Sequence, residues 1–248
     1  MRIQIIHPDY GLTPEQIQTR VNRLNDVVGD DVEITMTCVT KTHVCIDSAL
    51  DASIAAPEVV SLAMRAEQQA YDAVGIYCLS DPGYDACREA VSIPVLGGGH
   101  CAFSMAMLMG YTTSMITTSG RRVPQKVEFV RSCGIDFHRV VSVRQIEYDI
   151  AAHRDGSRRE EVTQQLARVA QECVDQDGAD TVILGCLSFA GMGQEIEKLV
   201  GVPIIDPAYA LVTCCEAVVR QGLRHSKKSY PAPPAAQRSW SAGEICFL

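Results

Sequence analysis

A chain of 248 residues, 47% hydrophobic and 21% charged, has the length and make-up of one large globular domain or two small lobes. Its net charge of −8 excludes the basic face that phosphate binding demands, so no nucleic-acid partner is expected. No apolar run approaches the roughly 20 residues of a membrane helix, no signal-peptide cleavage pattern follows the N-terminus, and eleven cysteines, mostly in apolar segments, read as reduced thiols of a cytoplasmic protein.

Residues 3–6 read as a first strand, and Thr13-Pro14-Glu15 opens a helix with Thr13 as N-cap. Residues 32–38 form a second strand by β-branched alternation. Ala56-Pro57-Glu58 opens a helix to about Tyr71, followed by a buried strand over 73–77, a short helix over 84–90 and a strand over 94–96. A glycine triplet, Gly97-Gly98-Gly99, then separates two halves and reads as a hinge. The pattern resumes with a helix over 100–109, a strand over 111–117, a helix over 123–133 and a strand over 137–143. Residues 157–177 are an amphipathic helix with Val162, Leu166, Val169, Ala170 and Cys173 on one face. A strand over 179–185, a helix over 193–200, a strand over 202–205 and a helix over 208–220 complete the order. Residues 226–248 read as an extended tail.

This alternation implies an α/β fold of two pseudo-symmetric lobes, each a mostly parallel sheet flanked by helices, with the active site in the cleft between them. The expected lobes are residues 1–98, completed by the closing helix within 207–225, and residues 99–206.

The chain repeats itself. Asp72-Ala-Val-Gly-Ile-Tyr-Cys78-Leu79-Ser80-Asp81-Pro82-Gly83 aligns with Asp180-Thr-Val-Ile-Leu-Gly-Cys186-Leu187-Ser188-Phe189-Ala190-Gly191. Each cysteine follows a strand, at the carboxyl end where α/β sheets gather functional groups. Packing alone would allow Val or Ala in either copy, so Cys78 and Cys186 are the catalytic candidates. The other nine cysteines read as packing residues. A thiol at such a turn is activated by backbone N–H groups, which can also hold a developing enolate oxygen.

No Cys-x-x-Cys pair or zinc-ligand spacing occurs, and no lysine stands out as a Schiff-base former, so neither a metal nor another cofactor is expected. Thr117, Thr118 and Ser119 follow a strand in the second half and read equally as a polar turn or as hydroxyls facing the cleft. His7 and His43 follow strand ends and are candidate substrate contacts, although scattered histidines are more often structural.

Taken together, the two cysteine motifs resemble the aspartate/glutamate/hydantoin racemase superfamily, and most the hydantoin and allantoin racemase branch. The resemblance spans roughly residues 1–223 and includes Arg88-Glu89, Ile93-Pro94-Val95, Leu184-Gly185-Cys186 and Val202-Pro203-Ile204-Ile205-Asp206-Pro207. It implies a cofactor-independent racemase in which Cys78 and Cys186 exchange roles as acid and base. Further expected substrate contacts are Leu79, Ser80, Leu187, Ser188, Thr117, Thr118, Ser119, Pro8, Asp9 and His43. Amino-acid racemases of the superfamily carry Asn and Thr after their cysteines. Leucine at 79 and 187 therefore implies a neutral ring, such as a 5-monosubstituted hydantoin or allantoin. The chain departs from the branch at His7-Pro8-Asp9-Tyr10, which stands where Asn-Pro-Asn-Thr is usual, and along residues 40–47.

Competing readings are a maleate isomerase or decarboxylase of the same superfamily, an amino-acid racemase, or a binding protein that keeps the cleft without catalysis. The expected partner is a small-molecule substrate, with no membrane association, and the protein is expected to be a homo-oligomer.

Overall fold

The structure is a computed structural model that describes residues 1–134, 137–148 and 158–236. Its first sheet contains β1 (Arg2–His7), β2 (Glu33–Cys38), β3 (Ala73–Ile76) and β4 (Val95–Gly97), all parallel in the order β2-β1-β3-β4. Its second contains β5 (Thr113–Thr117), β6 (Val140–Gln145), β7 (Thr181–Leu184) and β8 (Ile204–Ile205), parallel in the order β6-β5-β7-β8. The two orders are the same, so the sequence repeat is a repeat of topology. β3, β5 and β7 are buried along their whole length, as parallel strands covered on both faces require.

The helices are α1 (Pro14–Asn25), α2 (Ala49–Gln68), α3 (Tyr84–Ala90), α4 (Gly98–Met109), α5 (Val123–Ser132), α6 (Arg159–Asp177), α7 (Gly193–Val200) and α8 (Pro207–Arg220). α1 begins with the expected cap: Thr13 Oγ1 accepts from Gln16 N–H, and the Gln16 side chain returns a bond to the Thr13 N–H. α6 buries the apolar face read from its periodicity. α4 leaves the first lobe yet packs on β7. α8 leaves the second lobe yet packs on β3 and against α4. One hydrophobic core therefore runs through both lobes, from Ile3 and Ile5 through Phe103 and Leu211 to Met115 and Ile183.

Four expectations change. α2 starts at Ala49, not at Ala56, and carries Pro57 inside it. Ser48 and Asp51 cap each other reciprocally: Ser48 Oγ receives the Asp51 N–H and donates to the Asp51 carboxylate. That start signal lies upstream of the proline and sets the boundary. The strand expected from residue 137 begins at Val140, because residues 137–139 form a 3-10 turn. Arg139 pins that turn to the α4 end, donating to the carbonyls of Gly110 and Tyr111.

The glycine triplet is not a hinge but a place of close approach. Gly97 ends β4, and Gly98 and Gly99 form the first turn of α4. A Cβ on Gly99 would lie 2.4 Å from the Leu79 carbonyl oxygen and 2.5 Å from the Phe129 ring. Gly99→Ala is therefore expected to cost about 2 kcal/mol by overpacking against a backbone atom that cannot yield. Thermal denaturation measures this, and an unchanged Tm would refute it.

The tail departs from a free extended segment as far as it is described. Lys227 Nζ donates to the carbonyls of Arg88, Glu89 and Val91, closing the C-terminus of α3. Tyr230 accepts a bond from Arg88. Residues 237–248 lie outside the described residues. No helix among the described residues is long and apolar enough to cross a membrane.

Candidate active site

Strand order fixes where a site can form. In each sheet the chain steps outward from β1 to β2, or β5 to β6, and then returns to the other side. The carboxyl ends of β1 and β3, and of β5 and β7, thus frame a crevice left by diverging connections. His7, Asp9, Tyr77 and Cys78 stand at the first such point, and Gly185 and Cys186 at the second.

The two cysteine turns match in detail. In each, the cysteine and serine are half-buried and the leucine between them is buried. Ser80 N–H donates to Cys78 Sγ at 3.5 Å, and Ser188 N–H donates to Cys186 Sγ at 3.4 Å. Gly83 and Gly191 both adopt positive φ, +74° and +78°, a left-handed turn that favours glycine. Each turn is also tied to the helix that crosses into the other lobe. Asp81 accepts from the N–H groups of Gly99 and His100 at the start of α4. Asp206 accepts from Gly191 in the second turn and from Ala208 and Tyr209 at the start of α8. Burial pushes the Asp206 carboxyl up to about 6, against the pull of those three N–H donors. Tyr77 joins the turns directly, its buried hydroxyl donating to the Leu187 carbonyl at 3.0 Å.

Both cysteines line one cavity of about 30 Å³, together with His7, Asp9, Ile46, Tyr77, Arg122, Lys126 and Ser188. Burial holds the Cys78 thiol at about 11, although the nearby Lys126 ammonium draws it down. Lys126 is 1% exposed and donates to Ser80 Oγ at 2.9 Å. Burial, with Arg122 adding repulsion, lowers its amine to about 8. The wall over Ile46 is the loop after β2, held by Glu58, whose carboxylate accepts from the N–H groups of Thr40, Lys41 and Thr42.

The expected contacts fall into two groups. Asp9, Leu79, Leu187 and Ser188 line the cavity with the two cysteines, and Ser80 reaches it through Lys126. Leu79 and Leu187 are at the same time members of the shared core, 3% and 2% exposed, and a Cβ on Gly98 would touch Leu187 at 3.0 Å. Packing alone is enough to fix both leucines, which also give the cavity an apolar wall. Thr117, Thr118, Ser119, Pro8 and His43 are not among the residues lining the cavity. Thr117 and Thr118 are buried at the end of β5, Pro8 is buried, and His43 is exposed and stacked on Tyr10 at 4.0 Å.

Arg122, Lys126, Tyr77 and Ile46 were not expected in the site. The usable signal was on α5, where Lys126 and Val130 occupy one buried stripe. A lysine on an apolar stripe either reaches for water or serves a buried site.

Comparison with known proteins agrees with this architecture. The model of the Asp/Glu/Hydantoin racemase family matches residues 13–215. A hydantoin racemase of Rhizobium meliloti is 31% identical over 195 residues, 79% of this chain and 80% of that protein. An allantoin racemase structure from Klebsiella pneumoniae superposes with a TM-score of 0.87 at 27% identity, covering 97% of this chain and 96% of that one. One from Pseudomonas fluorescens gives 0.88 at 26% identity, covering 97% of this chain and all of that one, 100%. With paired cysteine turns on two parallel sheets and a family match across both lobes, the chain belongs to the Asp/Glu/Hydantoin racemase family.

Proposed function

We propose that the protein is a cofactor-independent racemase of a 5-substituted cyclic ureide of the hydantoin or allantoin type, with Cys78 and Cys186 as acid and base. The observation that carries this reading is the pair of equivalent turns that bring both thiols to one cavity from opposite lobes. The thiolate of one cysteine takes the C5 proton. The electron pair moves onto the adjacent ring carbonyl oxygen, and the thiol of the other cysteine returns a proton to the opposite face. Burial favours the protonated form of Cys78, which suits it to the donor's part in one direction. The reverse direction exchanges the roles.

A cavity of about 30 Å³ is far below the roughly 150 Å³ that accommodates a benzene ring. Seating a ring between the thiols is therefore expected to widen this cavity, which adjoins a larger one of about 220 Å³ that shares Tyr77, Leu187 and Ser188.

The test is to follow optical rotation and solvent-deuterium uptake at C5 for single enantiomers of 5-monosubstituted hydantoins and allantoin, with free aspartate and glutamate alongside. Turnover of a ureide is expected to exceed that of the free amino acids by at least about 100-fold in kcat/KM. Activity should survive EDTA and dialysis and be lost to iodoacetamide. Equal turnover of free aspartate and a hydantoin would refute the substrate class. Deuterium uptake without loss of rotation would refute the two-sided mechanism.

A further inference from the structure

Arg122 and Lys126 stand one helical turn apart at the start of α5, so their side chains leave it on one side. Both line the cavity that holds Cys78 and Cys186. Both are more than nine-tenths buried, at 5% and 1% exposure. Among the described residues, neither donates a hydrogen bond to a carboxylate. Among the described residues, the hydrogen-bond acceptor of the Lys126 ammonium is the uncharged Ser80 hydroxyl. Arg122 Nη1 donates to the Ile46 carbonyl at 2.9 Å. The nearest carboxylate oxygen to that guanidinium belongs to Asp47, 3.8 Å away on a half-exposed side chain that also pairs with Arg121. The Arg122 Nε–H is buried and has no acceptor among the described residues. The acid that lines the cavity, Asp9, is turned to the loop after β2: it accepts from the Ile46 N–H at 2.8 Å and from the Cys45 thiol at 3.7 Å.

Two cations buried side by side with unmet hydrogens are a costly arrangement unless an anion joins them. One catalytic thiolate offsets one positive charge. The guanidinium, with its planar fork of donors, fits a carboxylate better than any neutral carbonyl. We propose that the substrate carries a carboxylate on the C5 substituent of its ureide ring, and that Arg122, with Lys126 beside it, seats that group. This rests on the ureide reading and narrows it. The ring stays neutral, but its arm is acidic. The leucines that suggested a wholly neutral ligand are core residues, and the polarity of the site comes from α5.

The experiment compares hydantoin-5-acetic acid with hydantoin-5-acetamide, which has the same shape without the charge, and with free aspartate. The wild-type kcat/KM for the acid should exceed that for the amide by at least about 30-fold, the scale of one hydrogen-bonded charge. Arg122→Gln should lower the acid-to-amide ratio by at least about tenfold, whatever happens to the two absolute rates, and Arg122→Lys should fall between. Equal wild-type rates for acid and amide would overturn the proposal without requiring any variant to fold. So would an unaltered preference in folded Arg122→Gln. Turnover of aspartate with no turnover of either hydantoin would instead overturn the ureide ring. In that case loss of aspartate turnover in Arg122→Gln upholds the carboxylate seat, and retention removes it too.

Discussion

Replacing either Cys78 or Cys186 by serine is expected to lower racemisation in both directions by roughly 10³-fold or more, the scale of a positioned acid–base group. On the proposed mechanism, a serine hydroxyl is too weak an acid to form an alkoxide base in place of the thiolate, and too poor a donor to replace the thiol. The two variants should not be equivalent. Each keeps one sulfur on one face of the ring, so each should exchange the C5 proton of one enantiomer with solvent, and the two should choose opposite enantiomers. Proton NMR in deuterium oxide on each pure enantiomer reads this directly. Full racemase activity in either serine variant would remove the two-thiol mechanism. Exchange of the same enantiomer by both would place the sulfurs on one face.

Lys126→Met should lower kcat/KM by about 10- to 100-fold at pH 7, because it removes the cation that draws down the buried Cys78 thiol. Alkylation of Cys78, followed by mass spectrometry of its peptide across pH, separates this from a structural effect. Below about pH 8 the variant should be alkylated more slowly than the wild type. Because the Lys126 amine itself titrates at about 8, the difference between the proteins should be largest below that pH and fade above it. Stability should move the other way. A buried ammonium is destabilising, so the Met variant should have an equal or higher Tm at pH 7. Between about 8 and the ordinary lysine value of 10.5, the folded amine is neutral while the unfolded one still binds a proton. Wild-type stability therefore rises with pH through that window and the advantage of the variant shrinks. Identical alkylation profiles for the two proteins would exclude an electrostatic role for Lys126.

The thiols were legible in the sequence because their information is local. A strand, a cysteine and a left-handed glycine recur at matching places, and parallel topology puts such points at one end of a sheet. The cations were not legible for the opposite reason. Periodicity shows that Lys126 shares a stripe with Val130, but not that the stripe faces the Cys78 turn, which depends on how the lobes pack. The start of α2 is hidden because Pro57 is a strong signal taken alone, and the weaker Ser48–Asp51 cap lies upstream of it. Gly97 to Gly99 looked like freedom of the backbone where the requirement is for space.

The exchange of α4 and α8 between lobes bears on how the cavity opens. Two helices packed on each other cross the interface in opposite senses, so a relative movement of the lobes involves both of them. The motion such packing favours is shear, a small slide of α4 along α8. Asp81 binds the first turn of α4 to the Cys78 loop, and Asp206 binds the first turn of α8 to the Cys186 loop. A slide of the helices therefore carries the two sulfurs with it. On the proposed mechanism, admission of a substrate and the spacing of the two thiols become a single coordinate, set by the thickness of whatever lies between them.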